Sequence, residues 1–424
     1  MKKFILVSLS LFYFNTPLYA IDLKSAIIQS WAHVPLIQSL TEKANADKHQ
    51  IDIARSDKKP LVRFNALQTY GRFDNTATRA RGDDGFETND SYRFDLTATQ
   101  RLFDGYATSG LVQNAAENYQ ASLSNILSNK EKLARQTMFA YIDILRFQAL
   151  VKNAKINVSK GKDLLSIINK QVLIGRTAKV DYFLAKTQVA ASQAQLINQQ
   201  DLLDNAKIRF TELTGLPAED LISLEAPNIP STLQGALEQG IANHPEIEIG
   251  KHAIEAAKAS VKSQKSSRLP RIDLELFAQQ GRDENAFLGK DRNYGANLVL
   301  QWDLYRGGRN IASEKKTINT LAEIQLKQDE TYRQIQELIK QSWSKLNNEK
   351  SRLKYLKQQL EADKKVYTAY QTLLKAAKRS PLDVFVVLRN LNNSRLAAND
   401  VHFKILTQYF DVLASMGALN KLSW

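Results

Sequence analysis

PLVRFNALQTYGR (60–72) and SYRFDLTATQRLFDG (91–105) are two alternating segments inside a chain that otherwise reads as helix. In the first, Val62, Phe64 and Ala66 fall on one face, while Arg63, Asn65 and Thr69 fall on the other. In the second, Tyr92, Phe94, Leu96, Ala98 and Leu102 oppose Arg93, Asp95, Thr97, Thr99 and Arg101. Successive strand side chains point to opposite faces, so this period predicts strands with one apolar and one polar face. The pattern returns in PRIDLELFAQQGR (270–282) and NYGANLVLQWDLYRGG (293–308). There the apolar face carries Ile272, Leu274 and Leu276, then Tyr294, Ala296, Leu298, Leu300, Trp302 and Leu304. The expected strands are 61–72, 91–103, 271–282 and 293–304.

The chain around these hairpins has 424 residues, ample for two repeated halves. Its mean hydropathy is −0.36. Only the start approaches the apolar content of a membrane helix. Lys2 and Lys3 precede an apolar stretch over 4–14, then Pro17 and Ala20. That order predicts a secretory signal over 1–20, since the apolar core is short for a span. There is no cysteine, so an exported chain of this sequence carries no disulfide and no N-terminal lipid on Cys. The net charge is +14, or 14 − 2 = +12 without Lys2 and Lys3. The excess is spread along helices rather than gathered in a block, and nucleic acid is not an expected partner.

Helical pattern runs over 22–59 with a break at Pro35, and Pro60 ends it, lacking the donor a helix needs. An 18-residue polar loop, 73–90, joins the first two strands. A proline-free stretch over 106–173 predicts a helix of about 100 Å. A turn at Gly175 and a second helix over 178–214 follow, and a connector with Pro227 and Pro230 leads into a second round. Ala26, Pro35, Ile37 and Pro60 recur 210 residues later as Ala236, Pro245, Ile247 and Pro270. Tyr92, Leu102, Gly105, Asp181, Phe183 and Gly215 recur 202 residues later as Tyr294, Leu304, Gly307, Asp383, Phe385 and Gly417. The eight-residue difference falls between paired strands, where the second loop spans only 283–292. Length change concentrates in exposed loop tips. The expected organisation is therefore a signal over 1–20 and two repeats, 21–231 and 232–424.

Four strands with one apolar face leave two open edges, which hydrocarbon does not tolerate. Their lengths match a tilted crossing of a bilayer. Several copies must then close one barrel, and a trimer would supply twelve strands. The fold class read here is mainly α with a membrane β-barrel. It consists of a duplicated helix–strand–strand–helix–helix repeat, a strand barrel shared between copies and a long helical tube. The repeat order, the RLFDG and DLYRGG strand ends and the paired hairpin tips resemble the outer-membrane efflux (TolC-like) family. The resemblance implies a homotrimeric channel-tunnel, with a trimeric twelve-stranded barrel in the outer membrane of a Gram-negative cell and a long periplasmic α-helical tunnel. It also implies a periplasmic adaptor, an inner-membrane ABC or proton-driven transporter, surrounding membrane lipid, no cofactor and no catalysis. Type I protein secretion is the expected use, with multidrug or metal efflux as the alternative. A periplasmic coiled-coil adaptor is a more distant reading, which leaves the strand hairpins unexplained.

The same resemblance singles out the tips GRTAKVDYF (175–183) and AAKRSPLDVF (376–385) as a periplasmic entrance gate. Arg379 stands at the family's linking arginine, Asp181 at the linked aspartate and Asp383 at one pore carboxylate. The second pore carboxylate falls on Val386, so this chain departs from the pattern there. Local chemistry offers a second reading: Ser380-Pro381-Leu382-Asp383 is a helix start with a cap and a first-turn proline. Arg379 then reads as a solvated turn cation. Trp302, Tyr92 and Tyr294 are candidates for the aromatic girdles of a barrel. His33, His49, His244, His252 and His402 form no metal-ligand spacing, and no glycine-rich phosphate loop is present, so neither a metal nor an enzyme is expected.

Overall fold

A computed structural model describes residues 21–81, 86–284, 287–376 and 378–421; the expected signal over 1–20 lies outside them. The chain forms two compact units, one of 36–129 with 238–337 and one of the remaining residues. Each unit draws on both sequence repeats. Two helices of 67 residues, α4 (Ala107–Leu173) and α8 (Arg309–Lys375), contribute to both units.

The first unit holds the sheet. Helix α2 (Pro35–Ser56) leads into β1 (Leu61–Phe73), a short α3 (Thr76–Ala80) and β2 (Glu87–Phe103). Later come α6 (Leu233–Asn243), α7 (Pro245–Lys265), β3 (Arg271–Arg282) and β4 (Lys290–Gln301). The strands are antiparallel in the order β1-β2-β3-β4. Val62 lies opposite Ala98 and Phe64 opposite Leu96. Ala98 lies opposite Leu276, and Leu276 opposite Ala296. The alternation in sequence thus becomes one continuous apolar face. Side chains at α7 lock the adjoining helices. A Cβ on Gly110 would sit 2.7 Å from Ser263, so glycine is what lets α4 approach α7 there. One turn on, Asn114 donates to the Ala256 carbonyl and to Ser260 Oγ, both at 2.9 Å. Gln328 of α8 lies over Gly250 and donates to the Ile247 carbonyl at 3.1 Å.

Three details differ from the alternation pattern. The polar loop expected over 73–90 is shorter, because β2 begins at Glu87, paired with Phe73. On β2, Glu87, Thr88, Asn89 and Asp90 are polar on both faces, so no apolar period marks them. Asn75 caps α3 by accepting the Ala77 and Thr78 N–H groups, which turns the chain back early. At the other end of β2 the register shifts between Arg101 and Phe103, so Phe103 rather than Leu102 faces Ile272. Such a bulge inserts one residue and breaks strict alternation. The fourth strand, read as 293–304, lies at Lys290–Gln301, and Trp302 and Leu304 follow it. Trp302 leaves the ladder to donate its indole N–H to the Arg268 carbonyl at 3.1 Å.

The second unit is helical. It contains α1 (Leu23–His33), the later parts of α4 and α8, α5 (Lys179–Thr214) and α9 (Pro381–Ser415). Its main core gathers Leu23, Met138, Tyr141, Ile142, Phe210 and Phe410. Fully burying such side chains stabilises the fold by about 1.5–3 kcal/mol each. The Tyr141 ring meets Phe210 edge-on at 6.1 Å. Its hydroxyl lies 2.7 Å from the Ile21 carbonyl oxygen and 2.8 Å from that of Ile222. Burial raises the Tyr141 pKa, so the phenol stays a donor. The buried Glu131 carboxylate accepts the Leu419 and Asn420 N–H groups at 3.0 and 2.6 Å, holding the C-terminal turn.

Candidate functional site

Two regions carry the features a transport duct needs, and each lies within one unit. The first is the sheet. Among the described residues nothing covers its apolar face: Phe64 is 64% exposed and Leu298 70%. Aromatic residues continue along it, with Phe64 and Phe94 stacked at 6.2 Å. Soluble proteins rarely leave so continuous an apolar surface open. The opposite face is polar and several of its charges are paired. Arg93 pairs with Asp95 at 3.1 Å and with Glu284 at 3.4 Å. Arg101 and Arg271 flank the buried Asp273 at 3.7 and 2.8 Å. Of the other polar-face residues, Arg63 and Glu275 lie in the strands. Asp303 lies beyond β4 and pairs with Arg306 at 3.5 Å. A face of this kind suits water and a lipid face suits the other side.

The second region is the pair of helix tips. Helix α4 ends just before Gly175, whose φ of +70° suits glycine. The Arg176 N–H returns to the Gln171 carbonyl at 2.9 Å. Helix α5 starts without a side-chain cap, and half-buried Asp181 sits in its first turn. A carboxylate there favours the positive end of the helix dipole. At the second tip, Ser380 Oγ accepts the Leu382 N–H at 3.2 Å and Pro381 opens α9. Asp383 follows in the first turn. Arg379 lies 3.9 Å from Asp383, and its guanidinium is 5.3 Å from the Tyr370 ring. The structure therefore brings Arg379 and Asp383 together. Among the described residues it forms no ion pair between Arg379 and Asp181.

The tips stand on their own apolar cluster, which includes Ile168, Ala185, Val189, Val384, Phe385 and Leu388. Val384 and Phe385 point inward and fix the rotation of α9. Asp383, on the same turn, is left half-exposed, and Val386 is half-exposed as well. Lys160 lies 5.0 Å from the Tyr367 ring, and burial, with Arg395 nearby, lowers its pKa. Burial raises the Tyr367 pKa. Tyr370 and Tyr367 escaped the sequence reading. Their only signal is two tyrosines at i, i+3 near the end of α8. Among the described residues no cluster of His, Asp or Glu has metal-binding geometry, and no helix is long and apolar enough to cross a membrane.

A long helical unit and a sheet with a bare apolar face and a polar face define the class: one chain's share of a membrane channel. The profile of the family described as outer membrane efflux protein matches residues 27–216 and 236–418, and the chain belongs to that family. Outer membrane efflux protein BepC of Brucella suis is 20% identical over 94% of this chain and 85% of its own length. Alkaline protease secretion protein AprF of Pseudomonas aeruginosa is 21% identical over 91% of this chain and 82% of its own. The solved structure of the outer membrane protein VceC of Vibrio cholerae superposes with a TM-score of 0.80 at 16% identity, covering 93% of this chain and 96% of that one. The chain is thus an outer-membrane export channel, with its strands in the membrane and its helical tunnel in the periplasm. The family is one of transport ducts rather than enzymes.

Proposed function

We propose that three copies of this chain, each made of the repeats 21–231 and 232–424, close one twelve-stranded barrel. We read the duct as the exit of a type I protein-secretion apparatus, fed by a periplasmic adaptor and an inner-membrane ABC transporter. The observation that carries the assembly is the sheet itself. Strands β1 and β4 are free edges beside a bare apolar face. Lipid requires those edges to be paired, and twelve strands lie within the range of known barrels. The protein cargo is supported by the name of AprF, a protease secretion protein. The name of BepC, an efflux protein, favours a second reading as a small-molecule duct driven by a proton-coupled transporter. Deleting the chain from its host separates the two. Loss of a secreted protein is expected; increased sensitivity to toxic small molecules with an unchanged set of secreted proteins would replace this cargo with the other.

Arg379, Asp181 and Asp383 form the entrance gate in this proposal. Arg379 links to Asp181 across tips and holds the entrance shut, while Asp383 sets cation preference. One exposed pair contributes about 0–1 kcal/mol, so closure rests on three symmetry-related pairs acting on one constriction. Arg379→Ser and Asp181→Ala should each raise the resting conductance of the purified channel in a planar bilayer, and exchanging the two charges should partly restore it. Asp383→Asn should shift the reversal potential in a salt gradient without opening the channel. If Arg379→Ser leaves the conductance of an intact trimer unchanged, Arg379 serves only its own tip through Asp383 and Tyr370.

A further inference from the structure

The two ends of the sheet differ in charge. Segments 52–59, 101–108, 262–273 and 303–316 surround the helix-side end, with twelve Lys and Arg against six Asp and Glu, net 12 − 6 = +6. The described residues of the loop end, 72–81, 86–90, 281–284 and 287–292, hold six basic and six acidic residues, net 6 − 6 = 0. The helix-side excess survives its internal pairs. Arg268 is matched by Glu314 at 2.5 Å and Arg306 by Asp303 at 3.5 Å, while Lys58, Lys59 and Arg309 stand exposed. The matched junctions sharpen the contrast. Asp104 accepts the Thr108 N–H at 2.8 Å, and the residue 202 places later is Arg306.

The same rim is aromatic and continuous with the apolar face. Leu298 and Leu300 lead to Trp302, which is 52% exposed, and to Tyr305, which is 85% exposed. On the neighbouring junction Phe103 and Tyr106 meet edge-on at 6.0 Å. Trp and Tyr favour the level where hydrocarbon gives way to headgroups, and Lys and Arg beside a membrane surface attract anionic lipid. Aromatic rings, cations and the end of an apolar face thus meet on one rim.

We infer that this rim binds the headgroups of anionic phospholipids in the periplasmic leaflet, through Lys58, Lys59 and Arg309, with Trp302 and Tyr305 setting its depth. The inference rests on the outer-membrane reading above. It is tested on the full-length oligomer in mixed detergent micelles containing equal phosphatidylglycerol and phosphatidylcholine, with retained lipid counted by native mass spectrometry. The wild type should retain phosphatidylglycerol preferentially, and the preference should weaken as salt is raised. The Lys58→Gln, Lys59→Gln, Arg309→Gln variant should lose it, by up to about fivefold for each cation removed. Inorganic phosphate should not displace the lipid, whereas competition by phosphate at equal concentration would mean a free-anion site and overturn the inference. Trp302 emission should be quenched by brominated phosphatidylglycerol, and Trp302→Phe should remove that component. Equal retention of the two lipids by the wild type overturns the proposal, as does an unaltered preference in the variant. So does dissociation of the variant oligomer with its lipid preference intact, which would assign the rim to a second copy of the chain. Protein that fails to sediment with outer membranes would instead defeat the underlying reading.

Discussion

Helices α4 and α8 are both 67 residues long and begin 309 − 107 = 202 residues apart, yet their surfaces meet different fates. Met138, Tyr141, Ile142 and Ile144 of α4 are fully buried. At the first three of these places α8 has Lys340, Trp343 and Ser344, whereas the fourth, Leu346, is buried like Ile144. Phe147 and Leu150 become Glu349 and Arg352, and Leu164, 5% exposed, becomes Val366, 42% exposed. One helix finds its cover in α1, α5 and α9 of its own chain. The other keeps Ile311, Ile318, Leu326, Leu338 and Tyr355 at the surface. Equal length and backbone therefore say nothing about where a helix spends its apolar side chains. In the trimer proposed above, the exposed residues of α8 gain partners from a neighbouring copy.

The sharpest way to break this comparison is to truncate matched positions. Met138→Ala should cost about 2–5 kcal/mol, as deletions in packed cores do. Lys340→Ala should stay within about 0.5 kcal/mol, the range of surface changes. Thermal unfolding of the solubilised protein measures both, and equal losses would mean that α8 is as much a core helix as α4. A smaller effect is expected at Arg135, whose guanidinium lies 2.7 Å from Asp411. Asp411 is 7% exposed, so Arg135→Met leaves a poorly hydrated carboxylate without its cation. The expected cost is about 1–3 kcal/mol. Adding Asp411→Leu should recover much of it, because removing both charges also removes the desolvation cost. If the double variant is as unstable as the single one, the pair is not what Arg135 supplies.

The smallest effect concerns pH. Burial raises the Asp143 pKa above 3.8, opposed by Arg146 and Arg209 and reinforced by Asp400; the matching residue of α8 is Lys345. A raised carboxyl pKa means that the folded chain prefers the neutral acid. That contribution is fully present below the ordinary carboxylate range and is lost as pH rises through the folded pKa. Asp143→Asn should therefore gain on the wild type between acid and neutral pH, by less than about 1 kcal/mol for so exposed a site. Melting curves across that range decide it, and parallel pH profiles would remove Asp143 from the account.

Much of this architecture was legible because punctuation residues stand where helices stop. Pro35, Pro60, Gly175 and Gly215 mark α1, α2, α4 and α5. Period two found the strands for the same reason, since lipid on one side and water on the other impose it. The pattern failed where neither constraint acts. The polar start of β2 pairs through its backbone alone, and the bulge at Arg101 and Phe103 shifts register without changing composition. At the tips, Ser380 and Pro381 announced the cap of α9. Proximity of Arg379 to Asp383 follows from helical spacing. The Tyr370 ring above Arg379 depends on how the turn folds back, which no local spacing encodes.

The central pairing of the sheet has a kinetic consequence. Thr97 of β2 lies opposite Phe277 of β3, 277 − 97 = 180 residues along the chain. Closing a loop of that length costs entropy before any ladder bond repays it, and pairings so distant in sequence form slowly. The hairpin of β1 and β2 is marginal alone. A chain that crosses a membrane from its N-terminus presents that hairpin while β3 is still undelivered. Through that interval its apolar face and open edge are a hazard for aggregation. Maturation of this channel is therefore a problem of waiting. Helices α4 and α5 are complete in sequence before β3 arrives, and escort of the first hairpin until Gln301 has emerged is what a periplasmic chaperone would have to provide.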